Sequence, residues 1–237
     1  MSAQTLRPAL VALCLVGSSL LWAAQEDAKA EFPRVVTPGS ESAAPSDAIV
    51  LFDGTDLAGW QHPNGDAAKW KIAAGIATVT GGSLITKQHF GDAQLHLEFA
   101  TPTDVSGDSQ GRGNSGVYLQ GRYEVQVLDS YENQTYPDGQ CGAVYGQAPP
   151  LVNACRKPGE WQTYDIIFRS ARYDEAGKQT APAAVSVLHN GVLIQNNHEF
   201  TGSTTASMQG EGPGDGPIYL QDHGNPLRYR NLWIRPL

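Results

Sequence analysis

The chain has 237 residues, enough for one or two domains, and its 24 acidic and 16 basic side chains leave a formal charge of −8. Lys and Arg are scattered through it, with no basic stripe for nucleic acid and no polybasic patch for a membrane surface.

The N-terminus reads as a targeting segment. Met1 to Pro8 carries one positive charge, Arg7, and Ala9 to Ala24 is almost uninterrupted apolar sequence, short for a membrane span. Ala28-Lys29-Ala30 then supplies a small-x-small cleavage pattern. This predicts a secretory signal peptide over residues 1–30 and an exported protein, periplasmic or extracellular, with no stable membrane insertion after cleavage. An uncleaved anchor is the alternative. Residues 31–47 (EFPRVVTPGSESAAPSD) have little apolar content and read as a linker or disordered lead-in.

Residues 48–237 have one uniform texture and are expected to form one domain. Short runs rich in Val, Ile, Leu, Phe, Tyr and Trp recur at 49–52, 70–73, 76–80, 84–86, 93–100, 116–120, 123–128, 161–169, 184–189, 192–195, 218–221 and 227–234. Gly, Asn, Asp and Pro separate them, and no long 3.6-residue periodicity competes. Many short strands with regular turns predict an all-β sandwich or barrel. Asn190-Gly191 between two apolar runs is a two-residue hairpin signal. In 93–100, Leu95, Leu97 and Phe99 alternate with His96 and Glu98; in 161–169, Tyr164, Ile166 and Phe168 alternate with Thr163 and Asp165. The final strand is expected to pair with the first, tying down both ends of the domain.

Export changes the reading of the cysteines. Cys14 leaves with the signal, so Cys141 and Cys155 remain as an even pair in an oxidising compartment. They bracket GAVYGQAPPLVNA, a segment with little to bury, and a disulfide closing it would contribute about 3 kcal/mol. Two free thiols are the alternative, and no CxxC or Cys/His spacing indicates zinc.

Arg112 to Tyr131 (RGNSGVYLQGRYEVQVLDSY) holds the densest group of chemically capable residues. Tyr123, Val125 and Val127 alternate with Glu124 and Gln126, so the two polar residues share the face away from the core. An unbroken strand puts Asp129 on the wrong side, and a one-residue bulge near Leu128 would return it to the face of Glu124. Two carboxylates on one face can serve as acid and base. They can equally be a hydrated outer surface.

Gly113-Asn114-Ser115-Gly116 reads as a turn whose amides and hydroxyl can meet sugar hydroxyls, or as a plain turn. Ser115 lacks a GxSxG elbow, which excludes a serine hydrolase of that type. His223, in Gln221-Asp222-His223-Gly224-Asn225-Pro226, can be a base, a metal ligand or a loop residue. Lys87 ends a strand within reach of a ligand, and Trp60 and Tyr145 are the aromatic residues best placed to stack on a sugar.

The chain resembles the 3-keto-disaccharide hydrolases, also described as 3-keto-glucoside 1,2-lyases and 3-keto-2-hydroxy-glucal hydratases. The resemblance rests on FDGTDLAGW (52–60), GNSGVYLQGRYEVQVLDSY (113–131), CGAVYG (141–146), PGEWQTYDIIF (158–168), VLHNGVLIQNN (187–197) and GPIYLQDHGNPLRYRNLWI (216–234), in the family's order. It implies a concanavalin A-like jelly-roll sandwich of two antiparallel sheets, with the ligand cleft on the concave one. Laminarinase-type glycosidases of that architecture carry a Glu-x-Asp-x-x-Glu strand; here Gln126 stands in for the central acid and Asp129 for the terminal one. That departure argues against an ordinary retaining glycosidase.

The resemblance implies a carbohydrate substrate and a reaction that removes the C2 proton of a 3-keto-glycoside, eliminates at C1 and rehydrates. Glu124 or His223 is then the candidate base and Asp129 the candidate acid. Arg112, Lys87 or Arg230 is the candidate for offsetting oxyanion charge, and Asn114, Ser115, Gln126, Tyr145 and Gln221 are candidates for holding the sugar. Nothing in the sequence requires a cofactor, although a divalent metal on His223 and carboxylates would serve as an electrophile. A non-catalytic lectin-like module and a laminarinase-like glycosidase are the rival readings.

Overall fold

A computed structural model describes residues 32–40 and 43–237; the expected signal peptide lies outside the described residues. The unit Val36–Leu237 carries the fold. Among the described residues there are fifteen strands. They are β1 (Ile49–Phe52), β2 (Trp60–Gln61), β3 (Lys71–Ala73), β4 (Ile76–Thr78), β5 (Leu84–Phe90), β6 (Ala93–Ala100), β7 (Asn114–Leu119) and β8 (Tyr123–Leu128). There follow β9 (Gln162–Arg169), β10 (Arg172–Tyr173), β11 (Gln179–Ala181), β12 (Ala184–His189), β13 (Val192–Glu199), β14 (Gly216–Leu220) and β15 (Arg228–Pro236).

Two antiparallel sheets make the sandwich. The larger runs β13-β12-β9-β6-β15-β4-β3, with β1 also on β15, and the smaller runs β2-β5-β14-β7-β8. The alternation expected of β6 and β9 is observed. Leu95, Leu97, Phe99, Tyr164, Ile166 and Phe168 are buried between the sheets, which leaves His96, Glu98, Thr163 and Asp165 on the outer face of the larger sheet. The smaller sheet sends Val117, Leu119, Tyr123, Val125, Val127, Ile218 and Leu220 into the same core. The architecture is the expected jelly-roll sandwich.

Chain ends and turns follow local chemistry. β1 pairs antiparallel with β15, as a domain that ties its two ends together requires. Asn190 and Gly191 both have positive φ (52° and 78°), the backbone that a type I′ hairpin turn needs. The lead-in is more structured than its composition suggests. Thr37 and Ser46 bond each other, and Asp47 accepts a 2.7 Å bond from Arg235 on the last strand.

Candidate functional site

β7 and β8 form a hairpin whose register runs without a shift from Asn114↔Leu128 to Leu119↔Tyr123. The turn at its tip has both Gln120 and Gly121 at positive φ. This register places Asn114, Gly116 and Tyr118 opposite Leu128, Gln126 and Glu124; Asn114, Tyr118, Gln126 and Glu124 share one face, and Leu128 belongs to the core. β14 adds Tyr219 directly opposite Tyr118, with ring centroids 4.7 Å apart.

Glu124 is the unusual group on this face. It is 2% exposed. Burial raises its carboxyl from the ordinary 4.5 to about 8, and the hydrogen bond with Tyr118 offsets part of that rise. Burial, and then the neighbouring Glu124, raises the Tyr118 hydroxyl well above its usual range, so it remains a proton donor. The Gln221 amide donates to the Tyr118 hydroxyl at 3.2 Å. Gly116 is what makes room for the carboxyl, since a Cβ there would lie 2.3 Å from Glu124 Oε1. The segment after β13 crosses the hairpin: Thr204 Oγ1 accepts from the Glu124 amide, and Thr205 offers its carbonyl to Tyr118 at 3.4 Å. Tyr145, half-buried, comes from a segment that pairs with the free edge of β8 and bonds its hydroxyl to that of Tyr136.

Several expected members of the site are elsewhere. No bulge occurs near Leu128. The ladder continues with the Asp129 amide bonding Gly113 O at 2.9 Å, so Asp129 faces away from Glu124, towards the end of β6. There it is 3% exposed and takes a bond from Arg112 Nε at 2.9 Å and a second from Nη2 at 2.5 Å. An acid and a cation buried against each other are a structural pair, so Asp129 is not free as an acid nor Arg112 as an oxyanion partner.

Arg230 lies on the outer face of the larger sheet, bonded to Glu98 at 2.7 Å and stacked 4.1 Å over Trp161. The core separates it from Glu124. His223 is exposed on the turn after β14, and among the described residues it belongs to no group of three or more ligand-type side chains. Lys87 is exposed on β5, which β14 separates from β7.

Three of the proposed sugar contacts are structural. Asn114 and Gln126 both bond Gln110, holding the loop that follows β6 against this face. Ser115 points inward, donating to Gln221 O at 2.6 Å and meeting the Tyr229 hydroxyl at 2.8 Å. Trp60 is a core residue whose indole donates to Leu51 O. What the sequence reading passed over is Tyr118. Its signal was available: the hairpin tip at Gln120-Gly121 puts it across from Glu124.

The cysteines also differ from expectation. Cys141 and Cys155 are free thiols rather than a disulfide, although the fold brings them close. Their sulfurs and a ring nitrogen of His189 all lie within 4.8 Å of one another. Burial, reinforced by Arg156, lowers the His189 imidazole to about 4.

Two cavities among the described residues lie away from Glu124. One of about 870 Å3 lies on the outer face of the larger sheet, against His96, Glu98, Trp161 and Arg230. Another of about 680 Å3 is lined by residues of the 130–153 segment. Several side chains of the first are bonded to one another or to their neighbours: Glu98 with Arg230 and Asn231, His96 with Asp165 at 2.7 Å. Chemistry rather than volume singles out the smaller sheet, whose outer face carries a carboxyl able to exchange its proton near neutral pH.

A β-sandwich with a tyrosine-flanked, protonatable carboxyl on one sheet face is the class that structure and site define. The 3-keto-α-glucoside-1,2-lyase-like family model matches residues 47–235, and the chain belongs to that family. It is similar to a candidate glycosyl hydrolase from Parabacteroides distasonis ATCC 8503, with 48% identity and a TM-score of 0.83 over 88% of this chain and 93% of that one. A second candidate glycosyl hydrolase from the same organism is 20% identical, with a TM-score of 0.58 over 81% of this chain and 94% of that one, and shares the fold. No curated protein matches the sequence.

Proposed function

We propose that this protein is an exported carbohydrate-active enzyme that cleaves 3-keto-glycosides by elimination and rehydration, with Glu124 moving the C2 proton. The observation that carries the proposal is the Glu124 carboxyl, poised at about 8 on the face it shares with Tyr118 and Gln221. Family membership supplies the substrate class.

A C3 ketone acidifies the hydrogen at C2. Ionised Glu124 takes that proton, and the C–H electron pair forms the enolate with charge on O3. The enolate collapses to restore the ketone, the C1–C2 double bond forms, and the C1–O bond breaks, the leaving oxygen taking a proton from solvent. Water then adds its oxygen at C1 and gives one proton to solvent, while C2 regains a proton from Glu124. The sum is hydrolysis of one glycosidic bond by one water. A base with a pKa near the working pH suits both proton movements, and Tyr118 and Gln221 are the donors at hand for the enolate oxygen. A conventional retaining glycosidase needs two carboxyls about 5 Å apart across the bond; Asp129, turned inward and paired with Arg112, does not provide the second.

The test offers a 3-keto-glucoside and its unoxidised parent and follows aglycone release. Turnover of the keto form alone, lost in Glu124→Gln, is expected. Turnover of the parent sugar supports a glycosidase instead, and binding without turnover a lectin-like module. Export is tested by N-terminal sequencing of the mature protein, which is expected to begin after Ala30.

A further inference from the structure

Three ligand-type side chains far apart in sequence converge outside the Glu124 face. Cys141 sits on the segment that pairs with the edge of β8, Cys155 in the loop before β9, and His189 at the end of β12. Cys141 and His189 are buried, and Cys155 is half-buried. We infer that Cys141, Cys155 and His189 form a binding site for a thiophilic divalent metal, with Zn2+ the reference ion.

The surrounding bonds hold two of the three groups. Gln162 Oε1 can only accept, so the 2.8 Å contact makes His189 Nε2 the protonated nitrogen and leaves the lone pair on Nδ1. Gln162 is itself held by the Arg156 amide at 3.0 Å. This is the outer support that metal-binding imidazoles use to fix tautomer and orientation. The Tyr164 hydroxyl donates to Gln126 O at 2.7 Å and lies 3.0 Å from Cys141 Sγ, which fixes the position of the sulfur beside the imidazole. Phe99 and Tyr164 pack against the imidazole and restrict its rotation.

Two thiolates and a neutral imidazole are a soft donor set, the type zinc takes in tetrahedral sites. Binding releases two thiol protons, and the doubly charged ion cancels both thiolate charges, so the filled site is neutral within the fold. With three protein ligands, the fourth position of a tetrahedral site is left to water. A disulfide would use both sulfurs and leave the ordered imidazole with no part to play; the metal uses all three groups.

The experiment is a Co2+ titration of the reduced full-length protein, read by the thiolate-to-metal charge-transfer band, with Zn2+ as competitor. One equivalent is expected to bind, Zn2+ is expected to displace it, and Cys155→Ser is expected to weaken binding at least 100-fold. Cys155 is half-buried, so this variant keeps the test open if Cys141→Ser fails to fold. Gln162→Leu is expected to weaken binding by about 10- to 100-fold through loss of the outer support. Absence of the band, or its survival unchanged in Cys155→Ser, overturns the site. So does peptide mapping of unreduced exported protein that finds Cys141 linked to Cys155.

Discussion

Replacing Glu124 by Gln removes one titration and almost no volume, so it isolates the energetic consequence of burying this carboxyl. The folded-state value is about 8 against an ordinary 4.5. A group whose value is raised by folding contributes stability that is fully present below the unfolded value and is lost as pH rises through the folded one. Glu124 therefore costs the fold nothing below pH 4.5, and its penalty grows up to about pH 8, beyond which both states are ionised. The gap of about 3.5 units corresponds to about 5 kcal/mol at most, at 1.36 kcal/mol per unit. The amide can donate to the Tyr118 oxygen and carries no charge to desolvate. The assay is urea unfolding of both proteins at pH 5, 7 and 9, taking the difference in unfolding free energy at each pH so that titrations shared by both cancel. Glu124→Gln is expected to gain stability relative to the parent steadily from pH 5 to pH 8 and to level off above it, by several kcal/mol in total. A difference that does not change with pH would refute the raised carboxyl and, with it, the base assigned to the reaction.

If ionised Glu124 is the base, kcat/KM on a 3-keto-glucoside rises with pH to a plateau above about 8; a profile that falls over the same range assigns the opposite role. Gly116→Ala places a methyl 2.3 Å from Glu124 Oε1 and 2.9 Å from Tyr118 Cε2, so a loss of about 1–3 kcal/mol and a drop in turnover are expected, measured by thermal melting and the keto-sugar assay. Asp129→Ala strands Arg112 at a buried pair and is expected to lower stability by about 3–5 kcal/mol, while molecules still folded below the melting point keep their kcat. Arg230→Ala is expected to leave keto-sugar kinetics unchanged, because the core lies between it and Glu124; a tenfold rise in KM would place the site on the wrong sheet.

Four strands were legible at their full length. Ile49–Phe52, Ala93–Ala100, Tyr123–Leu128 and Ala184–His189 have the bounds their patterns predict. Patterns failed where strands run on through polar sequence. β5 continues over Lys87, Gln88 and His89, and β13, at the edge of its sheet, continues to Glu199 through Gln195, Asn196 and Asn197. An edge strand with exposed faces needs no apolar rhythm to hold its ladder. β2, β10 and β11 are two or three residues long and carry too little pattern to find. The site was legible in part for the same reason. Alternation placed Glu124 and Gln126 on the outer face, but sequence spacing cannot say whether a bulge intervenes before Asp129. The convergence of Cys141, Cys155 and His189 depends on segments brought together by the sandwich, so no local spacing announces it.

That missing bulge bears directly on the chemistry. A strand with two acids on one face offers a nucleophile or base together with an acid, as glycosidases need to expel an unactivated leaving group from an acetal. The unbroken register of β8 sends the second acid to the inner side, where Arg112 is bonded to it, and Gln126 is spent anchoring Gln110. One exchangeable carboxyl is left among phenols and amides, an arrangement poorly suited to direct displacement at C1. It suits a substrate that brings its own activation: with a ketone at C3, the barrier moves to loss of a C2 proton, which one tuned base can remove and return. On the proposed mechanism, the same geometry gives Tyr118 a larger part than Asp129. Directly across the hairpin from Glu124, its hydroxyl would donate as negative charge builds on the sugar. Tyr118→Phe should therefore lower kcat by about 10- to 1000-fold with KM nearly unchanged, whereas an equal loss in KM would mean that the phenol only holds the ground-state sugar.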